Sequence, residues 1–248
     1  MSQLSLDPLD GRPDWAAGPF AALDLETTGV DPATARIVEL ALIVDDGDGG
    51  IEDLYAGLVD PGAEVEIPPG ASAVHGITRE RLVAEGAPPA TEVLPVVHRH
   101  LQRIAATGWP LVIYNATYDW PLLAAELARL DPALELPDCV LLDPLVLDRH
   151  VDRYRRGKRT LETACQVYGV ALDDAHSARA DAVASCAVAR RLVTTYPQQL
   201  ALAELSELTD LQVQAHGVWR DSFNAYLQRI GADRPPVTET WPGLERLG

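Results

Sequence analysis

The stretch F-A-A-L-D-L-E-T-T-G, residues 20–29, decides how the rest of the chain is read. It begins as an apolar run and carries two acids near its end, Asp24 and Glu26. Side chains of a strand alternate between faces, so residues two apart point the same way. Two carboxylates therefore project together from an element built to be buried. Unpaired carboxylates are costly to desolvate. Either something positive compensates (a cation, an arginine, surrounding water), or the strand simply ends there and both groups are solvated.

Working outward, R-I-V-E-L-A-L-I-V (36–44) reads as a neighbouring strand and L-Y-A-G-L-V (54–59) as a third. The D-D-G-D-G-G between them (45–50) reads as a hairpin turn. A calcium loop starting at Asp46 would need Gly and Glu where Ile51 and Gly57 stand. Helical spacing follows over 93–104, a short apolar strand over 110–115, and a helix over 121–130 with Pro121 in its first turn. V-L-L-D-P-L-V-L (140–147) reads as a strand, 160–169 as a short helix closed by Gly169, and 178–193 as an Ala-rich helix. A strand meander followed by alternating strands and helices predicts an α/β mixed sheet covered by helices. The organisation expected is a loose N-terminal arm (1–17), one domain (18–195) and a helical C-terminal extension (196–248). In the extension Leu208, Leu211, Ala215, Val218, Ser222, Tyr226 and Ile230 keep helical spacing, with Trp219 and Phe223 alongside. That stripe suits packing on the domain or on a second copy of the chain, and the two aromatics could also stack on nucleic-acid bases.

A chain of 248 residues is long enough for one substantial core. Its 47% apolar and 23% charged residues are ordinary for a globular protein. No apolar run approaches the roughly 20 residues that span a bilayer, and the opening M-S-Q-L-S-L-D-P-L-D lacks the pattern of a secretory signal. Cys139, Cys165 and Cys186 are scattered and odd in number, which predicts a cytoplasmic protein without a disulfide framework or zinc site. The net charge of −17 argues against a protein that coats nucleic acid through counterion release. It suits an enzyme that holds a few nucleotides and lets metal ions meet the phosphate.

Two further segments carry chemistry. Asp119 ends N-A-T-Y-D (115–119); by itself it reads as a helix cap. His176 and Asp181 belong to H-S-A-R-A-D, which alone reads first as an exposed histidine followed by an acid favoured near a helix N-terminus. Together the four acids could converge at one end of a sheet. Like charges there repel by about 4 kcal/mol per pair at about 4 Å and an effective dielectric near 20. Two divalent cations would relieve this, and oxygen ligands favour Mg²⁺ or Mn²⁺. Such a pair can activate water and stabilise the leaving oxygen of a phosphodiester, while a histidine takes the proton.

D-L-E-T-T-G (24–29), N-A-T-Y-D and H-S-A-R-A-D, in this order, resemble the DEDDh exonuclease family, which includes the epsilon subunit of DNA polymerase III and ribonuclease T. V-H-G-I-T (74–78) also resembles a segment common between the first two motifs. The resemblance implies a ribonuclease H-like fold with a mixed five-stranded sheet. It implies metal ligation by Asp24, Glu26, Asp119 and Asp181, and His176 as general base. The implied reaction is 3′→5′ hydrolysis releasing nucleoside 5′-monophosphates from DNA or RNA. Thr27, Thr28 and Gly29 would line the terminal-nucleotide pocket, and His75 would sit beside the channel. Tyr118 stands where phenylalanine is common, which should be tolerated. A polymerase and a second copy are the protein partners to be considered.

R-Y-R-R-G-K-R (153–159) gathers five basic residues in an acidic chain. It reads as a phosphate-backbone clamp through Arg155, Arg156, Lys158 and Arg159, or as a solvated loop. Two other functions stay open: a non-enzymatic module that binds nucleic-acid ends or a polymerase, and a hydrolase restricted to short oligonucleotides.

Overall fold

The computed structural model describes residues 14–172, 177–200 and 205–247. Most of the expected loose arm, residues 1–13, lies outside that range. Its last residues form one helical turn, α1 (Asp14–Ala17), whose Trp15 stacks on Phe20 at 6.0 Å.

The predicted meander is β1 (Phe20–Thr27), β2 (Ile37–Asp45) and β3 (Ile51–Leu58), paired antiparallel. Helices α2 (Pro69–His75), α3 (Arg79–Ala84) and α4 (Ala90–Thr107) follow. α4 buries Val93, Leu94, Val97, Leu101 and Ile104, one face of a helix, and stops where Gly108 turns left-handed. β4 (Leu111–Val112) then pairs parallel with β1, and β5 (Leu141–Leu142) parallel with β4. The parallel step is bridged by α5 (Ala116–Leu130), as such a connection requires. The sheet order is β3-β2-β1-β4-β5. α6 (Pro144–Val151), α7 (Leu161–Tyr168), α8 (Ala178–Thr195), α9 (Pro197–Leu200) and α10 (Leu205–Arg229) complete the chain before a final 3₁₀ turn. Among the described residues no helix is long and apolar enough to cross a membrane.

Three boundaries differ most from expectation. The strand expected over 140–147 is only Leu141–Leu142; Asp143 caps α6 by accepting from Leu145 N at 3.0 Å, and Pro144 begins the helix. The strand expected over 110–115 likewise shortens to Leu111–Val112. The helix expected from Pro121 starts five residues earlier, because Asn115 takes the left-handed conformation (φ 72°) that Asn tolerates better than most residues. Asp119 is therefore not a cap. It lies inside the first turn of α5 and is buried.

The two faces of β1 serve two cores. Ala21, Leu23 and Leu25 pack with α4 and α5, whereas Phe20 and Ala22 face the side covered by α8. By strand parity Asp24 and Glu26 belong to the α8 side. α8 presents Ala178, Ala182 and Ala189, all fully buried, and small side chains let it approach the sheet closely.

The C-terminal extension is built into this core. Gln212, fully buried on α10, accepts from Asp143 N at 2.6 Å and donates to Leu141 O at 2.9 Å. One side-chain amide thus satisfies backbone groups along the outer edge of β5, which would otherwise be an open sheet edge. Trp241 sits in the α4–α5 core and donates its ring N–H to Asp143 Oδ2 at 3.2 Å. At Gly243 (φ 96°) a Cβ would lie 2.9 Å from the Thr117 carbonyl, so only glycine lets the tail press on the first turn of α5.

Candidate active site

β1 ends with Asp24 and Glu26, and α8 brings Asp181 to them. One carboxylate oxygen from each lies within 4.8 Å of the other two. Asp119 reaches the same place from α5: its charge is among those acting on Asp24, and Glu26 acts on Asp119 in turn. The structure therefore assembles all four predicted acids, three of them in the tightest group. His176 falls in residues 173–176, outside the described range.

Burial is the first cause holding the Asp24 carboxyl well above the usual carboxylate range, followed by the charges of Asp119, Asp181, Glu26 and Glu39. Burial, then Asp181 and Glu39, push Glu26 up to about 8. Asp119 is raised by burial, then by Glu26 and Asp143. Among the described residues, the charged neighbours acting on Asp24 and Glu26 are acids, and no arginine or lysine figures in those causes. An all-oxygen donor set of this density fits hard divalent cations.

Glu39 is a member that reading the sequence missed. It stands directly across from Glu26 in the antiparallel register, and like charges so placed are destabilising. Its Oε2 also accepts from Ala178 N at 3.4 Å, linking β2 to the α8 N-terminus that delivers Asp181. Asp143 is the second such residue. It accepts from Asn115 N at 3.0 Å and Ala116 N at 2.9 Å, which sets the start of the helix bearing Asp119.

The T-T-G turn is held from several directions. Thr28 exchanges two hydrogen bonds with the Arg36 backbone: its N donates to Arg36 O, and its Oγ1 accepts from Arg36 N, both at 2.9 Å. Thr27 Oγ1 lies 2.5 Å from the Tyr118 hydroxyl, which also donates to Gly29 O. Tyr118 is thus more than a tolerated variant: its hydroxyl fastens the turn to α5. The ring of His75, buried on α2, accepts from Ile77 N through Nδ1 at 3.1 Å. That places the proton on Nε2, which then donates to Thr27 O at 3.2 Å. His75 supports the turn from behind.

The basic run divides. Arg155 and Arg159, expected to grip a strand, turn onto the fully buried Asp148, each at 2.6 Å from Oδ2. Tyr168 donates to the other oxygen at 2.6 Å. Arg156 and Lys158 stay exposed.

At the end of β1, the first strand of this mixed sheet and α8 bring carboxylates together, with Asp119 of α5 acting on Asp24. The family model describing exonucleases of the ribonuclease T type matches residues 21–189, and the chain belongs to that family. It is 29% identical over 202 residues to the exonuclease DPD1, chloroplastic/mitochondrial, of Arabidopsis thaliana, covering 78% of this chain and 59% of that protein. It is 28% identical to a PolC-type DNA polymerase III of Thermotoga petrophila, covering 78% of this chain but 13% of the polymerase. The fold matches Escherichia coli exonuclease I bound to a dA16 oligonucleotide with a TM-score of 0.61 at 22% identity, over 73% of this chain and 42% of that one. It also matches exonuclease X in complex with 5′-overhanging duplex DNA (TM-score 0.54, 20% identity, 78% and 99% coverage). The chain thus spans less than two thirds of the length of the two curated relatives, 59% of the first and 13% of the second.

Proposed function

We propose that the chain is a 3′→5′ exonuclease that hydrolyses the terminal phosphodiester of single-stranded DNA or RNA and releases nucleoside 5′-monophosphates. The observation that carries this is the convergence of Asp24, Glu26 and Asp181, with carboxylate oxygens within 4.8 Å of one another, at the end of a buried strand. Asp24, Glu26, Asp119 and Asp181 would hold two divalent cations, Mg²⁺ or Mn²⁺. When bound, these supply charge neutralisation at the phosphate and lower the pKa of water.

The chain's own residues do the rest. Glu39 and Asp143 position the elements that carry the ligands. Thr27, Thr28 and Gly29 form the wall against which a terminal nucleotide rests, fastened by Tyr118 and His75. His176 takes the proton of the attacking water, a role suited to a side chain that titrates near neutrality. Arg156 and Lys158 contact the backbone of the incoming strand, and Arg155 and Arg159 shape the loop that presents them. The relatives' names support the substrate class: one is a DNA polymerase III subunit epsilon of Treponema pallidum, 33% identical over 109 residues, 44% of this chain and 46% of that protein. A polymerase partner is consistent with that likeness.

The test is a gel assay of 5′-labelled single-stranded DNA and RNA with Mg²⁺, Mn²⁺ or chelator. A metal-dependent ladder shortening from the 3′ end, with 5′-monophosphates as products, is expected. Binding of strands without cleavage would move the chain to a non-enzymatic module, and cleavage of only the shortest strands to an oligonucleotide hydrolase.

A further inference from the structure

A groove of about 770 Å³ lies between the loop after α6 and the outer face of α10. Its whole α10 wall falls beyond the residues matched by the family model, 21–189. Along it Trp219, Phe223 and Tyr226 form a ladder of rings: Trp219 and Phe223 stack at 5.5 Å and 12°, Phe223 and Tyr226 at 6.4 Å and 23°. These positions are four and three residues apart, so they rise along one helix face. The guanidinium of Arg149 sits 3.7 Å above the Trp219 ring. Opposite the ladder, Tyr154 is 86% exposed, with Arg153 beside its ring.

The charge of the groove runs against that of the chain. In a protein of net charge −17, the described residues lining it include four arginines and no Asp or Glu. Arg155 and Arg159 share the buried Asp148 and Arg155 also lies 3.8 Å from Asp152, so among the described residues the lining arginines outside an ion pair are Arg149 and Arg153. Positive charge interleaved with aromatic rings, Tyr154 and Tyr226 exposed and Trp219 and Phe223 half-buried, fits a ligand that is at once polyanionic and rich in flat rings. An acidic peptide would engage the arginines but leave the ladder unused. A second copy of so acidic a chain would be repelled at long range.

We propose that this groove is an accessory binding site for single-stranded nucleic acid: bases stack on Tyr154, Phe223 and Tyr226, and Arg153 meets the phosphates. For the class of ligand the assignment rests on the exonuclease reading of the acidic site. The two places are structurally joined. Tyr114, whose hydroxyl donates to Arg159 O at 2.9 Å, immediately precedes Asn115, the cap of the helix bearing Asp119. A strand held in the groove would stay with the enzyme while its end is shortened.

The test uses the full chain in chelator, so that binding is read without cleavage, with fluorescein-labelled oligo(dT) and oligo(U) of about a dozen nucleotides, within the usual footprint of such sites. Tyr154→Ala and Phe223→Ala should each raise Kd about fivefold or more, the effect of losing one stacked base. Arg153→Ala should reduce the slope of log K against log salt by about 0.7. Phe223→Leu, which keeps apolar bulk without the ring's π-face, guards against a folding defect in the alanine variant and should weaken binding likewise. Hydrolysis of the p-nitrophenyl ester of thymidine 5′-monophosphate, a substrate with no strand to hold, should not change in Tyr154→Ala. Should the wild-type protein hydrolyse nothing while these binding losses remain, the exonuclease reading fails and the groove assignment stands. Unchanged Kd and salt slope in all variants would overturn it. So would a dimer, seen by sedimentation, that the same substitutions split without altering strand affinity.

Discussion

Replacing Asp24 by Asn separates a site built for cations from one built for stability. With oxygens of Asp24, Glu26 and Asp181 within 4.8 Å of one another, each fully ionised pair costs about 3.5 kcal/mol at an effective dielectric near 20. Protonation relieves part of this, since burial and neighbouring acids raise Asp24 well above its usual range. The sign follows from proton binding: the folded state keeps a proton that the unfolded chain releases. Stability without metal therefore falls as pH rises from the unfolded pKa toward the folded one. Near pH 3, below the unfolded pKa, Asp24 is protonated in both states and behaves like an Asn, so melting temperatures in chelator should agree. Near pH 7 Asp24→Asn should be the more stable, by up to about 1.4 kcal/mol for each pH unit between the unfolded and folded pKa, or about 3–6 °C per unit for a chain of this size. Mg²⁺ should stabilise the wild type and help the variant less. Thermal melts at both pH values decide the matter. A variant that melts lower than wild type in chelator at both would mean that the carboxylate is paired within the fold, and the argument for cations would collapse.

Other consequences follow from single contacts. Because Glu26 is raised to about 8 without metal, a cation must displace its proton, so apparent Mg²⁺ affinity should increase from pH 6 to pH 9 in calorimetric titrations; a flat profile would speak against ligation by Glu26. Tyr118→Phe removes the hydroxyl that fastens Thr27 and Gly29. It should raise KM for oligonucleotides several-fold while costing about 0.5–1.5 kcal/mol of stability, and an unchanged KM would show that the turn needs no such support. Gln212→Ala strips the partners from Asp143 N and Leu141 O on a buried edge, for a loss of about 2–4 kcal/mol in urea unfolding. A loss below about 1 kcal/mol would mean that water replaces the amide.

The acid pair on β1 was legible because strand parity acts locally: Asp24 and Glu26 sit two apart in an apolar run, and no long-range fact is needed to put them on one face. Glu39 was not, since it lies inside R-I-V-E-L-A-L-I-V, and only the register of β1 with β2 sets it against Glu26. Asp143-Pro144 did carry a signal, a cap residue followed by proline at a helix start, but the surrounding leucines and valines read equally well as a strand. The early start of α5 depends on Asn115 adopting a left-handed backbone, which composition alone does not reveal. The stripe on the C-terminal helix was visible as periodicity. That Gln212 would stand in for a sheet partner was not, because its contacts are about seventy residues away in sequence. The basic run shows the reverse failure: counting charges grouped five residues that the fold separates, two of them around Asp148.

The most direct measurement is the release of mononucleotide from a 3′-end-labelled strand by the wild type and by Asp181→Ala across a Mg²⁺ titration, with circular dichroism showing that both are folded. The account predicts metal-dependent release by the wild type and none above the chelator blank from Asp181→Ala at any Mg²⁺ concentration. Undiminished release by the folded Asp181→Ala protein would contradict it.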